Sequence, residues 1–383
     1  APYILGHNDP DVNDAVMSAM DAGRSNYGTG PTRDEGALAE LFLGCLSMAE
    51  RVQFFNTGSE ATAHALRVAR AATSREHVML VQGSYNGHHN AAAVNVMTSA
   101  EALGGHQVTG GEYPVVPITA GTPQGELDLL HPVEFNDLEA VEYIAGKYEI
   151  AAMLTEPALQ NVGVIKPAPG YLEGLRALAD RHGFLLIFDE VKTGFRAGIG
   201  GYQGLSGIRP DLSTFGKAFA NGFPIAALAG KSEFLDLAVS DDPARRVLLA
   251  GTYNCHPVPV AAAIACLHKL RDPALDLYGH LESMAARLEE GQRRIFSDHG
   301  IAASIVREGS AHCVYFMDRA PSNWWELVTG HDMGYDARYR AELIGRGIYN
   351  FPLPTKQGSI SCAHTSDDID AALEATKEVV RAL

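Results

Sequence analysis

Apolar residues recur along this chain in two rhythms. Val12, Ala15, Val16, Ala19 and Met20 fall at helical spacing behind Asp9 and Pro10, an N-cap followed by a first-turn proline, and Gly23 ends the run. The same period predicts helices over residues 34–48, 59–72, 137–147 and 170–182. Between them lie short, almost wholly apolar runs at 52–55, 77–82, 150–155 and 184–188, with two more at 212–215 and 225–229. Such runs predict strands buried on both faces, and strands that alternate with helices need crossover connections. The expected fold class is therefore α/β: a mostly parallel central sheet with helices on both faces. After Pro257 the order changes. Helices at 257–270, 279–297 and 336–346, strands near 303–306, 312–317 and 358–362, and a last helix from Ser366 predict a smaller α+β unit. The chain is thus expected to divide into a large unit, 33–256, and a discontinuous small one, 1–32 with 257–383. Residues 86–134 are rich in glycine and poor in periodicity, which predicts loop.

Composition narrows the class. A chain of 383 residues that is 46% hydrophobic and 20% charged can bury a sizeable core. With 46 acidic against 30 basic residues its formal charge is -16, which argues against a general grip on nucleic acid or an anionic membrane. No run of apolar residues reaches the roughly 18 needed to span a bilayer. Five cysteines without paired C-x-x-C spacing indicate neither a disulfide framework nor a zinc ribbon, and fit a reducing, cytoplasmic setting. Histidines 64, 88, 89, 106, 131, 256 and 364 have no metal-ligand spacing, so no metal is expected.

Chemistry concentrates in residues 184–222. Asp189 and Glu190 stand at the carboxyl end of an apolar strand, the edge at which open α/β sheets place their ligands. Lys217 follows at the end of the next predicted strand, among small and apolar neighbours. Lost solvation lowers the pKa of such a lysine and favours the neutral amine that Schiff-base chemistry needs. Pyridoxal phosphate uses that combination, a lysine for its aldehyde and an acid for its pyridinium nitrogen. Taken singly, Asp-Glu also reads as a cap or ion pair and Gly-Lys as a turn. Asn56 to Ala61 forms a strand-to-helix junction with two hydroxyls, a glycine and free helix amides, suited to a phosphate or to plain capping.

With these residues in place, the chain resembles the class III pyridoxal-phosphate aminotransferases of fold type I, closest in pattern to the glutamate-1-semialdehyde 2,1-aminomutase branch. The likeness runs from ILGHNDPDV through FFNTGSEAT, GSYNGHHN, TEPALQNVGV, IFDEVKTGFR and DLSTFGK to GTYNCHP and CAHTSDDID. It implies that Lys217 forms the internal aldimine and moves the proton between substrate Cα and cofactor C4′. Asp189 would keep the pyridinium nitrogen protonated, and Val191 would pack under one ring face with Tyr85 stacked on the other. Gly58 and Ser59 match the phosphate cup, and Asn161 a residue near the phenolic oxygen. Thr252 matches a threonine that reaches the phosphate of the neighbouring subunit, so a homodimer with shared sites is implied. Glu156 reads as a substrate-side residue or a structural ion-pair partner, and Arg196 as a carboxylate clamp or a structural salt bridge.

Three departures bear on the reaction. The family has histidine where this chain has Asn86. An N-terminal segment that carries the aminomutase's carboxylate-gripping arginine is expected to be missing from this sequence. Near the other end the aminomutase pattern has a glutamate where this chain has Lys356 or Gln357, Lys356 being a candidate substrate contact, and its gating loop is replaced by TSAEALGGHQVTGGEYP. The expected function is transfer of an amino group from an amino acid or amine to a keto acid or aldehyde, through Lys217 and pyridoxamine phosphate. The alternative is an aminomutase-like isomerase. Small-molecule substrates are the expected partners.

Overall fold

The computed structural model describes residues 2–23 and 32–383; Ala1 and residues 24–31, part of the expected small unit, lie outside the described residues. Seven strands form the central sheet: β1 (Arg51–Phe55), β2 (His77–Val81), β3 (Leu130–Val133), β4 (Ile150–Thr155), β5 (Leu185–Glu190), β6 (Leu212–Phe215) and β7 (Ala226–Gly230). Their spatial order is β1-β7-β6-β5-β4-β2-β3. All run parallel except β7, which is antiparallel to both β1 and β6. The α/β reading therefore stands, with one reversed strand. Helices Gly58–Thr73 and Tyr171–His182 pack on the sheet, and β4 and β5 are buried along their whole length. Their near-continuous apolar sequence follows from cover on both faces.

The segment expected to be loop contains β3 and a short helix, Gln124–Leu127. β3 reads LHPV, and Pro132 and His131 break the apolar pattern. A proline is tolerated because β3 is an edge strand, bonded only to β2. The irregular stretch before it is pinned by buried Asn95. Its Nδ2 donates to Gln82 Oε1 (3.1 Å) and Pro114 O (2.9 Å), and its Oδ1 accepts from Val116 N (2.9 Å).

Three further strands, β8 (Ser304–Glu308), β9 (Ala311–Tyr315) and β10 (Gly358–Ser359), make an antiparallel sheet in the order β10-β9-β8. Helices Leu277–Asp298 and Ser366–Ala382 pack against each other beside it, the latter opened by a reciprocal cap between Thr365 and Asp368. Helix Pro257–Arg271 lies on helix Pro10–Asp21. Its Val260, Ala263 and Leu267 share a core with Phe42, Phe215 and Phe219. Among the described residues no helix is long and apolar enough to cross a membrane.

Candidate active site

A cleft of about 240 Å³ opens at the carboxyl edge of the central sheet, where β5 and β6 end. Its lining includes Thr57, Gly58, Ser59, Tyr85, Asn86, Asp189, Val191 and Lys217. Residues more than 150 positions apart meet here because parallel strands put all their carboxyl ends on one side.

Asp189 is buried near the end of β5 and is held by three donors. Asn86 Nδ2 donates to its Oδ2 (2.8 Å), and Val191 N (3.0 Å) and Thr214 Oγ1 (3.1 Å) donate to its Oδ1. Thr214 is the register partner of Asp189 across the β5–β6 pair. The Asn86 amide is itself oriented, since Ser84 Oγ donates to its Oδ1 (3.0 Å). Burial pushes the Asp189 pKa up, while these donors and the charge of Lys217 pull it back. A carboxylate so oriented and so short of water is suited to bind a protonated ring nitrogen.

Lys217 follows β6 and opens the 3₁₀ turn Lys217–Ala220 with φ +48°, a left-handed conformation that costs a non-glycine residue about 1–2 kcal/mol. The turn is fixed by Gly222 N donating to Lys217 O (3.1 Å). Asn221 then clamps it to the start of the chain: its Oδ1 accepts from Leu5 N (3.1 Å) and its Nδ2 donates to Gly6 O (2.9 Å). Burial lowers the Lys217 pKa, opposed by the charges of Asp189 and Glu156. Such an amine is nucleophilic more of the time than an exposed lysine.

The opposite end of the cleft is the N-terminus of helix Gly58–Thr73. Thr57 Oγ1 accepts from Glu60 N (3.2 Å) while Glu60 Oε2 accepts from Thr57 N (3.0 Å) and Asn56 N (2.7 Å), and Ser59 Oγ accepts from His88 N (3.2 Å). A Cβ on Gly58 would lie 2.9 Å from Val191 Cγ2, so only glycine lets this helix start so close to Val191. First-turn amides and two hydroxyls suit a phosphate. An acid for a ring nitrogen, an amine for an aldehyde and a helix terminus for a phosphate together fit pyridoxal phosphate.

Other sequence-predicted residues lie around this core. Tyr85 lines the cleft, and its amide donates to Glu156 Oε1 (3.1 Å). Glu156 also accepts from Gln160 N (2.8 Å), its Oε1 lies 3.1 Å from Ser84 Oγ, whose one proton is given to Asn86, and burial raises its pKa against the charge of Lys192. Asn161 sits behind the lining, donating to Gly83 O (3.1 Å) and accepting from Lys356 Nζ (3.0 Å). Arg196 does not line the cleft: it is buried, with Nη1 donating to Ser310 Oγ (2.7 Å) and Ile360 O (2.9 Å) beside the small sheet. Thr252 is exposed and outside the cleft lining of this chain. Glu190 is turned away. Its carboxylate accepts from Tyr202 N (2.5 Å), Gln203 N (3.0 Å) and Thr193 Oγ1 (3.0 Å), and so holds the start of helix Gly201–Ser206. Sequence reasoning missed Thr214, Ser84 and Lys192, and noted Asn86 only as a departure. Their part follows from strand register and loop contact, which periodicity does not carry. No group of three or more possible metal ligands occurs among the described residues.

Fold and cleft together define a pyridoxal-phosphate enzyme on a parallel sheet. Residues 1–338 match the family model "Aminotransferase class-III", and the chain belongs to that family, whose cofactor is pyridoxal phosphate. It is 35% identical over 382 residues to glutamate-1-semialdehyde 2,1-aminomutase 2 of Brevibacillus brevis, covering 99% of this chain and 85% of that one. The aminomutase of Desulforudis audaxviator is 36% identical, with 99% and 84% covered. Among solved structures, an omega-transaminase from Sphaerobacter thermophilus superposes with a TM-score of 0.90 at 30% identity, covering 99% of this chain and 84% of that one. A glutamate-1-semialdehyde aminomutase from Pseudomonas aeruginosa PAO1 gives 0.85 at 26%, covering 99% and 81%.

Proposed function

We propose that this enzyme transfers an amino group between two substrates: an amino acid or amine gives it up, and a keto acid or aldehyde receives it. The observation that supports this reading is Lys356, whose Nζ is held on Asn161 O and Oδ1 at 3.0 Å each; it or Gln357 stands where the aminomutase pattern has a glutamate, and neither is an acid. The bound cofactor supplies an electron sink for the substrate carbanion. Lys217 anchors the cofactor and carries the proton to and from the substrate Cα. Asp189, oriented by Asn86 and Thr214, holds the proton of the ring nitrogen. Tyr85 and Val191 flank the ring, and Gly58 and Ser59 bind the phosphate. Thr252, exposed in the single chain, is assigned to the phosphate of a partner subunit, which makes the working unit a homodimer.

An amino donor alone, without acceptor, should convert the holoenzyme to its pyridoxamine form, read by absorbance. Lys217→Ala should lose the visible band of the lysine-bound cofactor and slow turnover by about 10²–10⁴-fold or more, the scale of a positioned proton-transfer group. The resemblance to aminomutases supports a second reading, intramolecular amino migration. Failure of a broad donor panel to change the spectrum, with turnover of glutamate-1-semialdehyde, would favour it.

A further inference from the structure

Beside the cleft, two lysine ammonium groups converge on one stretch of main chain. Lys192 Nζ donates to Gln160 O (2.9 Å), and Lys356 Nζ donates to Asn161 O and Oδ1 (3.0 Å each). Gln160 and Asn161 are consecutive, so the two lysines are tied to adjacent peptide units, and Lys192 feels the charge of Lys356. Each carries three N–H donors. Among the described residues Lys192 spends one and Lys356 two, and neither forms an ion pair within salt-bridge distance. Both side chains are half-buried, not sealed.

The nearby charges do not balance. Glu156 is the acid whose field both lysines feel, but its carboxylate is turned to the amides of Tyr85 and Gln160 and neither lysine pairs with it. Whether its proton sits on Glu156 or on Lys192, the group of three has one positive charge in excess. Asp189 also acts on Lys192, but its charge is committed to the cofactor in the proposed function. Burial lowers the pKa of both lysines, so the cluster is under electrostatic pressure to accept an anion. Lys192 directly follows Val191, which lines the cleft, and Glu156 accepts from the amide of Tyr85, which lines it too, so the cluster borders the cleft.

We infer that Lys192 and Lys356 form a subsite for a substrate carboxylate. This rests on the aminotransferase reading and deepens it: the substrates are amino acids and oxo acids, not carboxyl-free amines and aldehydes. The carboxylate takes the unused N–H donors of both ammonium groups and cancels the excess charge. Lys192 and Lys356 are thus specificity-determining residues, and only one of them was visible as a departure in the sequence.

The test is equilibrium binding to the holoenzyme by calorimetry, with pentanoate and its neutral isostere pentanamide as probes. Neither carries an amino or carbonyl group that reacts, so the result does not depend on turnover. Wild type should bind pentanoate at least about tenfold more tightly than pentanamide, a difference of about 1.4 kcal/mol. Lys192→Met and Lys356→Gln should each shrink that preference to within about threefold, while Lys356→Arg retains it. Equal affinity of wild type for the two probes, or no binding of pentanoate, overturns the proposal, and neither needs a folded variant. A preference that survives intact in both neutral variants overturns it too. If wild type prefers pentanoate but no donor alters the cofactor spectrum, the anion subsite stands and the aminotransferase reading falls.

Discussion

The Asp189 carboxylate shows how little of a site's geometry resides in the residue proposed to act there. Its place at the end of an apolar strand is readable from the sequence, as is that of Lys217. Its orientation is not, because Asn86 arrives from a loop about a hundred positions earlier and Thr214 from the register of the next strand. Asn86→Leu keeps the approximate volume and removes the donor to Oδ2. A hydrogen bond to a charged group contributes about 1.5–3 kcal/mol, so kcat/KM of the holoenzyme should fall roughly ten- to a hundredfold. The cofactor should still be retained, since Lys217 and the phosphate contacts are untouched. A rate within twofold of wild type would mean that Val191 and Thr214 suffice to hold the acid.

At the scale of elements, the sequence carried helix and strand identity far better than strand direction. The run in β7 is short, small and apolar whichever way it points, so its reversal between β1 and β6 left no trace in periodicity. β3 was hidden for another reason, its proline and histidine, and it brings a buried acid with it. Glu134 follows β3 and accepts from Trp324 N (2.9 Å) at the start of helix Trp324–Gly330. Burial pushes its pKa up to about 7, against the pull of the Trp324 amide. A folded pKa above the unfolded one means that the native state binds the extra proton between about pH 4.5 and 7. This contribution is full below the lower limit and lost as pH rises through the upper one. Glu134→Gln cannot ionise. Its stability relative to wild type should therefore climb across that window by about 3 kcal/mol at most, at about 1.4 kcal/mol per pKa unit, and level off above it. Thermal melts from pH 4.5 to 8 read the difference, and a constant offset would show that Glu134 does not titrate there.

Among the described residues of the whole molecule, the segment that carries Thr252 also carries strongly exposed apolar side chains: Val239 is 77% exposed, Leu248 72% and Tyr253 62%, with Tyr349 (77%) elsewhere in the chain. Side chains of this kind grouped along one segment mark a surface that pairs with another chain. In the proposed homodimer they are covered, and Thr252 reaches the partner's phosphate as part of a site that neither chain completes alone. Pairing two impaired proteins tests this directly. One carries Lys217→Ala; the other carries Thr252→Arg, which places a long side chain where the threonine would meet the phosphate. If Thr252 serves the partner's site, a hybrid dimer has both lesions in one site and none in the other. Activity should then recover on mixing under exchange conditions, to about a quarter of wild type for random pairing of equal amounts, because half the dimers are hybrids with one intact site of two. If Thr252 serves its own chain, each hybrid site keeps one lesion and activity stays at the level of the separate variants. Recovery therefore requires both the dimer and the crossing of Thr252, whereas a monomer by sedimentation at assay concentration would end the proposal at once.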